Sequence, residues 1–108
     1  MMSPRLFENN ELPVNQTEDF KTLSKKEQAI LMGWIRTRLT PRKSYNRKHS
    51  SYGLKHLFEE DNFYVTNGAF KGAMFASGYV PEFAQDTNWV FAISETSPAF
   101  KEVRHGCF

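Results

Sequence analysis

Cysteine is almost missing from this chain. Cys107 stands alone, so no internal disulfide can form, and that usage fits a reducing compartment. Long apolar runs are missing as well: no stretch approaches the roughly 20 residues that a membrane-spanning helix needs. The opening "MMSPRLFENNELPVNQTEDF" lacks the basic start and apolar run of a secretory signal, so the chain reads as soluble and cytoplasmic. No glycine-rich phosphate loop occurs, since "NGAFKG" has the wrong spacing for one. The most informative gap is one of charge: no Asp or Glu lies between Glu27 and Glu59.

What fills that gap is basic. Seven of the fourteen Lys and Arg residues lie between Arg36 and Lys55, and the stretch "RKSYNRKHSSYGLKH" (42–56) interleaves them with tyrosine, serine and asparagine. The acids gather at Glu8, Glu11, Glu18 and Asp19, and again at Glu59, Glu60 and Asp61. A net charge of +2 therefore hides a basic segment between acidic ones, the asymmetry of a polyanion binder. With 108 residues the chain is long enough for one domain. Ten Phe, four Tyr and two Trp supply a core of large side chains.

Residues 1–22 are polar, broken by Pro4 and Pro13, and read as an arm. Ser24 and Glu27 form a capping box that opens a helix; Ile30, Leu31, Trp34, Ile35 and Leu39 share one face, and Pro41 stops it at Thr40. Residues 42–49 read as a basic linker. "SSYGLKHLFEE" reads as a second helix, capped by Ser50 or Ser51, with Leu54, Leu57 and Phe58 inward and an end near Glu59–Asp61. Gly53 weakens that helix by about 1 kcal/mol relative to Ala, which implies a close approach to its backbone. "NFYV" is a short β-prone run. Thr66 then caps a third helix rich in small residues, with Gly78 as its left-handed stop. In "NWVFAIS", Trp89, Phe91 and Ile93 alternate as on a half-buried strand, and "GYVPEF" is its candidate partner.

These elements predict an α+β domain of three helices and a β-hairpin over residues 23–95, winged helix-turn-helix-like, followed by a tail from 96 to 108. A helical bundle with a β-ribbon is the other arrangement they allow. Three motifs carry a resemblance: Ser51, Tyr52, Gly53, Lys55 and His56; then Tyr64, Val65, Thr66, Asn67, Gly68 and Phe70; then Met74, Gly78 and Tyr79. Over about residues 47–94 the chain resembles a group of small bacteriophage, prophage and conjugative-element proteins. The resemblance implies a mobile-element setting in a bacterium and brings no catalytic activity with it.

The candidate site follows from the charge pattern. Phosphate binding wants converging cations with aromatic and small polar residues between them. Arg36, Arg38, Arg42, Lys43, Tyr45, Arg47, Lys48, His49, Tyr52, Lys55 and His56 meet that description. In a winged helix, Asn67 and Lys71 would be the exposed polar residues at the start of the recognition helix, although that helix holds neither Arg nor Gln. No cofactor is expected: His49 and His56 match no zinc spacing, and the adjacent acids Glu59, Glu60 and Asp61 diverge around a helix. His105 and Cys107 read as tail residues. A hydrolase built on Ser50 or Ser51 with His49 or His56 would need a third orienting group and an oxyanion pocket; the surrounding charge is positive and the chain short, so it reads as a non-enzyme. The expected partner is nucleic acid or a host nucleoprotein complex such as a CRISPR effector. The alternatives are an anti-CRISPR-type inhibitor of a host nuclease, for which the acidic groups would be the contact, and a structural or oligomerising subunit.

Overall fold

The computed structural model describes residues 16–102. A 3₁₀ helix, Thr17–Thr22, leads to α1, Lys25–Arg38. The capping box at its start is closed both ways: Glu27 N donates to Ser24 Oγ at 3.1 Å and Ser24 N to Glu27 Oε1 at 3.0 Å. Leu31, Ile35 and Leu39 face inward, and the Trp34 ring meets Phe58 and Phe70 edge-on. Ile30, read as part of the same stripe, is 37% exposed at its edge.

The segment 42–49 is not a linker. It belongs to β1, Pro41–Ser50, which pairs antiparallel with β2, Val90–Ile93. Pro41 suits the first position of a strand because it has no N–H to offer. The ladder is anchored at three points: Pro41 opposite Ile93, Asn46 opposite Phe91, and Ser50 opposite Val90. Five steps from Pro41 to Asn46 face two on β2, and four from Asn46 to Ser50 face one. The extra residues must leave the ladder, so β1 carries two wide bulges. The first holds Arg42, Lys43, Ser44 and Tyr45; the second holds Arg47, Lys48 and His49.

Helix α2, Ser51–Asp61, starts directly from β1, with Ser50 as its cap. It ends at Asp61, within the acidic run expected to end it. The β-prone "NFYV" forms no strand, because Val65 N is taken by the Glu59 carboxylate at 3.0 Å. Helix α3, Asn67–Ala76, is capped by Thr66, whose Oγ accepts from Ala69 N. Gly78 ends that run with φ 99°, and Tyr79 N returns to Met74 O. "GYVPEF" is no strand either: among the described residues its one backbone link to β2 is Glu82 N to Val90 O, and β1 supplies the ladder. A short α4, Pro98–Glu102, adds Ala99 and Phe100 to the core, although its sequence has no period.

The core lies between α1, α2, α3 and the inner face of the two-stranded sheet, where Phe58, Phe70, Met74, Phe91 and Ile93 are fully buried. The small-residue face of α3 does meet a close neighbour, and it is the 3₁₀ helix from the expected arm. A Cβ on Gly72 would stand 2.4 Å from Thr17 O and 2.8 Å from Phe20 Cβ. Gly53 is the reverse: a Cβ there would meet nothing within 4 Å, so no part of the described chain approaches it. The architecture is α+β: helices packed on a two-stranded antiparallel sheet. Among the described residues no helix is long and apolar enough to cross a membrane.

Candidate functional site

The two bulges and the last turn of α1 determine where the basic residues go. The first bulge and the C-terminal end of α1 together line a cleft of about 620 Å³. Its floor is apolar, made by Met32, Ile35, Leu39, Val80 and Ala92, with the Tyr79 ring in the wall. Arg36, Arg42 and Tyr45 also line it, and among the described residues none that lines it is acidic. Arg42 is held in place by its own bulge: Nε donates to Ser44 O at 3.0 Å and Nη2 to Tyr45 O at 3.2 Å. A guanidinium has five N–H donors, so these two bonds fix its direction and leave others to spare. Arg36 is exposed and pairs with no carboxylate among the described residues. Burial pushes the Tyr79 hydroxyl above its ordinary pKa, and it stays a neutral donor at the cleft wall.

Lys43 and Lys48 project from the two bulges, exposed and without an ion pair among the described residues. Arg38 is half-buried at the end of α1 and does not line the cleft.

The remaining candidates are taken up by the fold itself. Arg47 forms a two-pronged pair with Glu82, with Nε 3.0 Å from Oε1 and Nη2 against Oε2. The His49 ring stacks on Phe100 at 3.9 Å, and its Nε2 lies 2.8 Å from Glu95 Oε2. Glu95 also accepts from the buried Asn46 amide at 2.7 Å. This hydrogen bond, helped by the charges of His49 and Lys48 against a smaller effect of burial, holds its carboxyl below the ordinary range.

Lys55, read as a phosphate contact, is 4% exposed. Its ammonium donates to Glu59 Oε2 at 2.9 Å and sits between the rings of Tyr52 (5.5 Å) and Tyr64 (4.8 Å). His56 is exposed, edge-on to Tyr52, with Nδ1 3.2 Å from Glu59 Oε1. Burial works to raise the Glu59 pKa. The Lys55 and Val65 hydrogen bonds and the charges of Lys55 and His56 outweigh it, and the carboxyl lies below its ordinary value. Glu59 is thus turned toward its own helix, which leaves Glu60 and Asp61 as the exposed acids of that group. In the other acidic group Asp19 accepts from Thr66 Oγ at 3.1 Å, Glu18 is exposed, and Glu8 and Glu11 lie outside the described residues.

Asn67 and Lys71, expected on an exposed recognition face, are 6% and 3% exposed. They tie α3 to the segment before β2. Asn67 accepts from Ser51 Oγ at 2.9 Å and donates to Thr87 O and Asn88 Oδ1, both at 3.0 Å. Lys71 Nζ donates to Thr87 O at 2.9 Å and stands 4.7 Å from the centre of the Trp89 ring. Ser51 Oγ in turn accepts from Trp89 N at 3.0 Å. The 3₁₀ helix covers another side of α3, so this helix does not offer a polar face to a DNA groove.

The thirteen candidates therefore divide. Arg36, Arg42 and Tyr45 share a cleft, Lys43 and Lys48 extend from the bulges, and Arg38 lies outside. Arg47, His49, Lys55, His56, Asn67 and Lys71 have partners within the fold, and Tyr52 packs on two of them. Sequence reasoning missed the cleft's floor, above all Tyr79, Val80 and Ala92. Their one local signal was the turn at Gly78, which swings Tyr79 and Val80 back towards α1. It also missed Glu82 and Glu95 as counterions, although Glu95 directly follows the "NWVFAIS" strand. His105 and Cys107 lie outside the described residues. No protein-family model matches this chain, and neither a curated protein nor a solved structure matches it significantly.

Proposed function

We propose that this is a non-enzymatic binding protein of a bacterial mobile element, and that it engages nucleic acid through the cleft and bulges. One observation carries the reading: Arg36, Arg42 and Tyr45 line a single cleft with no acid among its described lining residues, while Lys43 and Lys48, on the bulges of the strand that carries Arg42, make no ion pair among the described residues. Four cations without an ion pair among the described residues, within a short stretch, form a local positive surface, whatever the small net charge. The surface is narrower than the 36–55 segment. Arg47 and Lys55 are paired with Glu82 and Glu59, and His49 and His56 face Glu95 and Glu59, so these four add little to it.

The order α1, β1, α2, α3, β2 follows the connectivity of a winged helix-turn-helix that lacks a second wing strand. We include that likeness in the proposal, with α3 withdrawn from the reading role because Asn67 and Lys71 are buried. Binding is then backbone-directed and of modest sequence preference.

Fluorescence anisotropy with a labelled oligonucleotide, titrated against salt, tests the function. About four phosphate contacts predict that log K falls against log[salt] with a slope of roughly −3. Binding that is absent at low salt, or a slope near zero, refutes it.

A further inference from the structure

The cleft has two chemistries in one space, and phosphate satisfies only one of them. Arg36 and Arg42 offer guanidinium donors at its edge. Met32, Ile35, Leu39, Val80 and Ala92 offer an apolar floor, and Tyr45 and Tyr79 bring rings to its sides. Arg36 and Tyr45 come from different elements, the end of α1 and the first bulge, so the cleft is made by folding and not by one charge run.

A duplex presents phosphates on its outside and keeps its bases stacked within. Docked here, it would reach the arginines and leave the floor facing water. A ligand that fits both parts needs a flat, largely apolar body attached to an anion. About 620 Å³ lies within the roughly 300–1,000 Å³ of sites that hold small organic groups. Arg42 is aimed in advance by its bonds to Ser44 O and Tyr45 O, which lowers the ordering cost of gripping an anion there.

From this geometry we infer that the cleft takes one unpaired nucleotide of a single strand, with the base on the apolar floor beside Tyr45 and its phosphate on Arg36 and Arg42. The inference rests on the proposed function and goes beyond it: it names the strand state and the group that enters. The neighbouring phosphates then follow the chain toward Lys43 and Lys48. Base-on-aromatic stacking is tolerant of sequence, so the site discriminates single from double strand more than one base from another.

The test compares three labelled probes of equal length with the full chain at one salt concentration: an oligothymidylate, the same backbone made abasic, and a duplex. The single strand with bases binds at least about fivefold more tightly than the abasic strand, as one stacked base is worth. Tyr45→Ala brings the intact strand down to the abasic level. If the abasic strand or the duplex binds as tightly as the oligothymidylate, the inference is overturned while salt-dependent binding still stands. If no probe binds at low salt, the proposed function itself has failed.

Discussion

Two glycines on neighbouring helices should respond to the same substitution with opposite signs. In an open helix position Gly→Ala gains about 1 kcal/mol. Gly53 is such a position, because a methyl group there meets nothing within 4 Å. Gly72 is not. Its methyl would stand 2.4 Å from the Thr17 carbonyl oxygen, and ordinary contact begins near 3.4 Å, so the 3₁₀ helix must withdraw by about 1 Å. The nearest atom belongs to the backbone, so no rotamer change relieves the clash. Overpacking of this kind costs about 1–3 kcal/mol, and the upper end applies where backbone must move. Set against the helical gain, Gly72→Ala loses about 2 kcal/mol, or about 10 °C in Tm for a domain of this size. Urea and thermal unfolding of both variants measure this. Hydrogen exchange adds a local readout, since the amides of Asp19 and Leu23 are bonded within the 3₁₀ helix and should lose protection in Gly72→Ala. If Gly72→Ala gains stability as Gly53→Ala does, the 3₁₀ helix does not rest on α3 in solution.

Other consequences follow from the buried polar groups. Asn67→Ala removes the acceptor of Ser51 and a donor to Thr87 and Asn88, and should cost about 2–3 kcal/mol in urea unfolding; a loss below 0.5 kcal/mol, well under the roughly 1 kcal/mol of an ordinary hydrogen bond, would contradict the network. Glu59 is held below its ordinary 4.5, so the unfolded chain binds the proton more readily. Its stabilising contribution is present above pH 4.5 and is lost as the pH falls through the lower folded value, a loss that Glu59→Gln should largely remove from the acid limb of the stability profile. Glu59→Gln should itself destabilise by about 3 kcal/mol at neutral pH, because it leaves the Lys55 ammonium buried without its counterion.

The parts of the fold that were legible in the sequence are those decided locally. The capping box at Ser24, the cap at Thr66, the stop at Gly78 and the alternation of Trp89, Phe91 and Ile93 all need only a few adjacent residues to specify them. β1 was not legible, because "PRKSYNRKHS" has no alternation of apolar and polar residues. Its ladder touches β2 at three anchors and sends the residues between them into bulges, so its sequence follows the bulges and not the strand period. Pairing depends on β2, more than thirty residues further along, and nothing near β1 announces it.

The site divided for a similar reason. Charge is visible in sequence and its neutralisation is not: Glu82 lies 35 positions from Arg47, and Glu95 reaches His49 only once β1 and β2 are paired. Asn67 and Lys71 looked like reading residues because polar side chains at the start of a helix usually face solvent. Here they satisfy the carbonyl of Thr87, which would otherwise be left without a partner beside the Trp89 ring. Much of the motif pattern in the middle of the chain, including Ser51, Lys55, Val65, Asn67 and Phe70, is thus buried and builds the fold.

The most direct measurement is a comparison of two charge-reversed proteins in the salt-titrated anisotropy assay. Arg36→Glu with Arg42→Glu changes the cleft; Lys25→Glu with Lys26→Glu changes as many exposed charges at the opposite end of α1. The account predicts that the cleft pair abolishes binding to a single strand and that the control pair weakens it only a few-fold. Equal losses from the two pairs would mean that charge alone, without the cleft, governs the interaction.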